Sequence, residues 1–227
     1  GANLTGANLT GANLTGAKLE GTNLSGANLS GVDLSGKDLT GVNLSGQDLR
    51  NLDLTGTTLI LANLSRTNLS GVDLSGKDLT GITLIHANLS STNLSGVDLS
   101  KKKIEAILVG ANLTGVNLIG TNLAGTNLSR TNLSGVDLSG KDLTGTTLIG
   151  VDLSGKDLTG TTLIQANLIG TNLSGVDLSG KDLTGVILVD ANLTDANLTD
   201  ANLTGVSLNG QDLRNLDLNG TTLIQAN

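Results

Sequence analysis

The chain has 227 residues, 32 glycines, a formal net charge of −7, and no Pro, Cys, Met, Trp, Tyr or Phe. Without cysteine there is no disulfide framework, and a chain of this length without aromatics does not read as an ordinary globular domain. The acidic balance argues against direct nucleic-acid binding; with no signal peptide or membrane-spanning apolar run in the sequence, a soluble chain of unassigned compartment is expected.

The first fifteen residues are three copies of Gly1-Ala2-Asn3-Leu4-Thr5. From there leucine returns every fifth residue to Leu99, and again from Leu108 to Leu223, giving about 45 repeats in all. Each leucine is the centre of a repeat. Two positions before it stands Ala, Val or Thr, sometimes Lys; one before, Asn or Asp; after it, Ser or Thr and then usually Gly. A helix cannot use this pattern, because five steps of about 100° scatter the leucines around the cylinder. A flat strand cannot either, because an odd period sends alternate leucines to opposite faces. A very short strand followed by a corner does use it. The centre and the residue two before it then point inward together. Glycine permits the positive φ of a tight corner. Coils of this kind stack about 4.8 Å apart, with leucines in an inner column. Ala2, Ala7 and Ala12 fill space beside them, and inward threonines such as Thr121 and Thr126 need a local backbone partner.

Ala-Asn-Leu-Thr-Gly and Val-Asp-Leu-Ser-Gly, repeated over essentially the whole chain, resemble the pentapeptide-repeat family. The resemblance implies an all-β fold: a right-handed quadrilateral parallel β-helix, a solenoid of about 11 coils of four five-residue repeats, roughly 50 Å long. The family often places Phe at the centre. This chain has none, which implies a narrow and uniform core.

Along the chain, Gly-Val-Asp-Leu-Ser-Gly-Lys-Asp-Leu-Thr recurs at Gly31, Gly71, Gly135, Gly150 and Gly175. Gly-Gln-Asp-Leu-Arg-Asn-Leu-Asp-Leu occurs at Gly46 and Gly210, and duplication alone explains both blocks. Lys37, Lys77, Lys102, Lys141, Lys156 and Lys181 stand where small inward residues normally stand. A buried, unpaired ammonium is prohibitive, so these side chains should snorkel from the corner, with nearby Asp as partners. His86, the only histidine, falls at a corner with no partner for catalysis. The segment Lys101-Lys102-Lys103-Ile104-Glu105-Ala106-Ile107-Leu108 is the one break in register: Leu108 follows Ile104 after four residues. It reads as a deletion at one corner, or as a bulge presenting three lysines, and it argues against a consensus-designed repeat. Asp190, Asp195 and Asp200 fall at successive corners, too far apart to share one calcium ion. The chain reads as a single solenoid over 1–227 with a register slip at 104–108. It ends inside a repeat at Asn227 without a polar cap at either end, the expectation for part of a larger protein.

Counting four repeats per coil, with the short repeat as one, makes the sides chemically different. Asp38, Asp78, Asp98, Asp137, Asp157, Asp177 and Asp217 fall on one side, facing outward. Asp33, Asp53, Asp73, Asp152 and Asp212 fall on its neighbour. This acidic surface reads either as a solvated face or as recognition of a basic partner. A different side carries Ile107, Val109, Ile149, Ile169, Ile187 and Val189 at outward positions that elsewhere hold polar residues. A contiguous apolar strip marks a contact surface more often than scattered apolar residues do.

No catalytic, cofactor-binding or metal-ligating pattern emerges. Ser and Thr are abundant but no motif pairs them with a base, Cys/His metal spacing is absent, and no Gly-rich phosphate loop occurs. The expectation is a non-enzymatic scaffold or protein-interaction module, with a protein partner or self-association, and no membrane. Two alternatives stand beside it. The family resemblance implies a duplex-DNA mimic that binds type II topoisomerases, which the acidic columns fit and the lysines do not. The Ser/Thr ladders raise an ice- or surface-binding solenoid, but regular outward threonine pairs are missing.

Overall fold

The computed structural model describes residues 1–100, 106–211, 213, 214 and 216–227. Lys102 and Ile104, with the rest of 101–105, and Asp212 lie outside the described residues. The chain divides into two compact units, the N-terminal one built on Gly1–Leu99 and continuing through 106–117, the C-terminal one on Leu118–Asn227. Each is a right-handed four-sided β-helix. Among the described residues the sheet consists of isolated parallel bridges, one residue per repeat, as in Asn3 with Asn23 and Thr147 with Asn167.

One repeat shows why this composition folds this way. In Val42-Asn43-Leu44-Ser45-Gly46, Val42 N–H donates to Leu39 O (3.0 Å) and closes the corner. Asn43 N–H donates to Thr22 O in the coil before (2.9 Å), and Leu44 N–H to Asn63 O in the coil after (2.9 Å). Gly46 N–H also donates onward, to Ser65 O (2.9 Å). The fifth donor, Ser45 N–H, points away from both coils and is taken by Asn43 Oδ1 at 3.0 Å. All five backbone N–H groups therefore have acceptors, as close-packed backbone requires. Where Asn or Asp stands before the centre it fills this role: its short side chain bonds its own backbone two residues on. The corner has a positive φ at its third residue (+74° at Gly46), the geometry of a type II turn. Leu61, Arg66, His86, Ser91, Arg130, Gln165, Asp190, Asp195, Asp200 and Gln225 adopt the same conformation without being glycine.

Every described leucine centre from Leu19 to Leu203 is buried. Inward polar residues share one solution. Thr57 Oγ1 donates to Leu54 O (2.7 Å), Thr161 Oγ1 to Leu138 O (2.7 Å) and Gln47 Nε2 to Leu24 O (2.6 Å). Among the described residues no buried side-chain polar atom lacks a partner. After residue 100 the ladder of the N-terminal unit continues at a spacing one residue shorter: Asn88 bridges Ile107, Asn93 bridges Asn112, and Asp98 bridges Asn117.

Candidate functional site

In the C-terminal unit, one side has Leu128, Leu148, Leu168 and Leu188 as its buried centres. The residue after each centre points outward. Gly150 N–H donates to Ile169 O (3.0 Å) and Gly170 N–H to Val189 O (3.0 Å), so Ile149, Ile169 and Val189 lie in three successive coils. Ile187, bridged to Asn167, adds a fourth apolar residue to this side. All four are half-buried, each covered in part by its neighbours in the stack. From Thr126 to Gly210, the only ionisable residues in the repeats of this side are Arg130 and Asp190, both exposed corner residues. The structure therefore brings together Ile149, Ile169, Ile187 and Val189. Ile107, 50% exposed, and Val109, half-buried, belong to the N-terminal unit. Leu61, Ile85, Ile119 and Ile224 are exposed as well; the outward position after the centre was the signal for Ile85, Ile119 and Ile224, and the corner position for Leu61.

The expected acidic residues are exposed: Asp38, Asp78 and Asp98 in the N-terminal unit, and Asp137, Asp157, Asp177 and Asp217 in the C-terminal unit. Asp33, Asp53, Asp73 and Asp152 are exposed too. Their carboxylates are occupied locally. Ser139 Oγ and N–H donate to Asp137 (2.7 and 2.9 Å), and Ser154 donates in the same way to Asp152. Those side-chain and backbone hydrogen bonds, and the corresponding ones from Thr159 to Asp157, hold the Asp137, Asp152 and Asp157 carboxyls below the ordinary range; at Asp157 the charge of Asp137 opposes the shift. On the side of Asp73, Asn93 Nδ2 donates to Asp73 Oδ1 (3.0 Å) and Asn112 Nδ2 to Asn93 Oδ1 (3.0 Å), so carboxylate and amides form a continuous ladder. Asp152, Asn172 and Asn192 repeat it in the C-terminal unit. The ladder was readable from the stacking of Asn on Asp at a twenty-residue spacing.

Lys37, Lys77, Lys141, Lys156 and Lys181 are half-buried, and the ammonium hydrogen bonds of this group go to backbone carbonyls rather than to the expected aspartates. Lys37 Nζ donates to Leu14 O (2.7 Å), Lys181 Nζ to Leu158 O (2.6 Å), and Lys156 Nζ to Leu133 O (2.7 Å) and Val136 O (3.0 Å). The stem follows the inward path of a small residue, so the ammonium reaches backbone carbonyls of the coil before rather than the outward-facing carboxylates. Burial lowers the Lys77 and Lys156 pKa, while Asp73 and Asp53, or Asp152 and Asp137, partly oppose the shift through space. His86, Arg66 and Arg130 are exposed at corners. Among the described residues no group of three His, Cys, Asp or Glu side chains could hold a metal ion, and no helix is long and apolar enough to cross a membrane.

The family description "Pentapeptide repeats" matches in 8 copies, over residues 1–36, 38–76, 62–100, 106–145, 142–180, 182–210 and 191–227. The chain belongs to the pentapeptide-repeat family. Proteins of this family are generally structural or interaction proteins. Similar solved structures include HetL, a pentapeptide-repeat protein involved in heterocyst differentiation regulation from the cyanobacterium Nostoc, at 30% identity over 86% of this chain and 88% of HetL, TM-score 0.46. Rfr23 from the cyanobacterium Cyanothece is 32% identical over 52% of this chain and 83% of its own, TM-score 0.33. QnrB1, a plasmid-mediated fluoroquinolone resistance protein, is 19% identical over 82% of this chain and 89% of its own, TM-score 0.41. No curated protein sequence matches this pentapeptide-repeat protein.

Proposed function

We propose that this pentapeptide-repeat protein is a non-enzymatic interaction scaffold whose contact surface is the apolar strip of the C-terminal unit. The observation that carries the reading is the placement of Ile149, Ile169 and Val189 at the same outward position in three successive coils, with Ile187 beside them. Outward positions of this kind usually hold Ser or Thr in this chain. Covering the strip removes apolar surface from water at about 25 cal/mol per Å², so each residue contributes on the order of 1 kcal/mol to a contact. A flat side with a regular pitch suits an extended protein surface. The test is the double variant Ile149→Ser, Ile169→Ser. It should keep the parent's circular-dichroism spectrum and thermal transition, because neither residue is a core centre, while association in pull-down and sedimentation weakens. Unchanged association would leave the scaffold without this surface.

Duplex mimicry is the second reading, supported by Asp137, Asp157 and Asp177, exposed in line on one side of the C-terminal unit. The half-buried lysines Lys156 and Lys181 beside that column weaken it. Competition against duplex DNA for a type II topoisomerase separates the two.

A further inference from the structure

We infer that the partner of the Ile149–Ile169–Val189 strip is the same strip on a second copy of this chain, laid antiparallel about a two-fold axis that crosses the face at Ile169. The inference rests on the scaffold reading and names its partner. It follows from the distribution of charge on this side. The corner residues beside the strip, one per coil, run Arg130, Gly150, Gly170, Asp190, Gly210. The two ionisable residues have opposite signs and sit three coils apart. Both are exposed, and neither side chain makes a hydrogen bond or ion pair among the described residues.

A two-fold axis lying in the interface, across the coils, reverses coil order and keeps each corner column against itself. With the axis at Ile169, that residue meets its own copy, Ile149 meets Val189, and Thr147 meets Ile187. Gly150 then lies opposite Asp190 of the other copy. Arg130 leans toward this place: its Cγ is 3.7 Å from where a Cβ on Gly150 would sit. Having no side chain, Gly150 leaves the corner open for the guanidinium and the arriving carboxylate. The arrangement makes two Arg130–Asp190 pairs, flanks the apolar centre with them, and sets no like charges against each other. A foreign partner would have to supply the opposite charges itself. The strip's own sequence already carries both.

The experiment is sedimentation equilibrium of the full chain with charge reversals. Arg130→Asp and Asp190→Arg should each weaken dimerisation by roughly tenfold, since symmetry counts each change twice and exposed pairs are individually weak. The double reversal should restore parent affinity to within about threefold. Folding is not at issue, because both residue types already occupy this corner conformation: φ is +57° at Arg130 and +55° at Asp190. The chain has no cysteine, so single introduced thiols report geometry cleanly. Ile169→Cys should give a disulfide-linked dimer on oxidation. Ile149→Cys should not, because its two copies stand about 10 Å apart, beyond disulfide reach. A parent that stays monomeric, a double reversal that fails to recover, or an Ile169→Cys dimer that does not cross-link would each overturn the pairing. If the parent stays monomeric while Ile149→Ser, Ile169→Ser abolishes capture of a different protein, the pairing fails and the scaffold reading stands.

Discussion

At the scale of single residues, the corner decides what is tolerated. Gly145 has φ +64° and nothing within 4 Å of where a Cβ would sit. A substitution there tests backbone conformation alone, without steric contact. Gly145→Val should lower stability by about 1–2 kcal/mol in urea denaturation, the cost of a left-handed β-branched residue. Gly145→Asn should cost well under 1 kcal/mol, since Asn visits that region readily. Equal losses would show that the corner is limited by something other than φ. Among the described residues ten corners already carry side chains at positive φ, from Leu61 to Gln225, so the position filters residue type without dictating it.

At the scale of the repeat, the residue before the centre has two jobs. Its oxygen accepts the one backbone N–H that no coil can reach, and when it is Asp it also carries charge. The first job gives the protein an acid dependence. Asp137, Asp157 and Asp177 have carboxyls held below the ordinary value of 3.8 by the Ser or Thr two residues on. A carboxyl with a lowered folded-state pKa stabilises the fold fully above its unfolded value. That contribution is lost as pH falls through the folded-state value. Stability should therefore be flat from neutrality to about pH 5 and fall below about pH 4. Replacing the three by Asn keeps the acceptor oxygen and removes the titration. The triple variant should match the parent at pH 7 in thermal melts and exceed it at pH 3. A triple variant that melts early at pH 7 would mean that charge, not the acceptor, holds these corners.

At the scale of the whole molecule, the five-residue period made the short strand, the corner and the inner leucines legible, because burial of one apolar residue per repeat leaves few ways to wind; four repeats per coil came from the family resemblance and not from the period. The apolar strip was legible for Ile149, Ile169 and Val189 through the outward position after their centres, and for Ile187 through the outward position before its centre. The lysine partners were not. Sequence places Lys156 beside Asp157, but only the coil geometry shows its ammonium reaching Leu133 O and Val136 O instead. Nor did charge counting show that Asp and Asn serve the backbone first, because that role lies in an N–H direction and not in composition. Folding should reflect the same short-range plan. Bridged residues are about twenty positions apart, which favours fast formation. The chain has no proline, so no isomerisation phase of tens of seconds is expected. Refolding from denaturant should be unaffected by a prolyl isomerase or by the time spent unfolded; a slow phase sensitive to either would contradict this.

The inward position two before the centre has an evolutionary consequence. Thr161, Gln47 and Lys181 all end on the carbonyl of a leucine centre, although their side chains differ in length and charge. Val and Ala at the same position need no acceptor at all. Exchanges among these five residues therefore leave the coil's outline intact, and a gene that grows by copying its own repeats can drift there freely. Surface chemistry can diversify from side to side while the winding stays inherited.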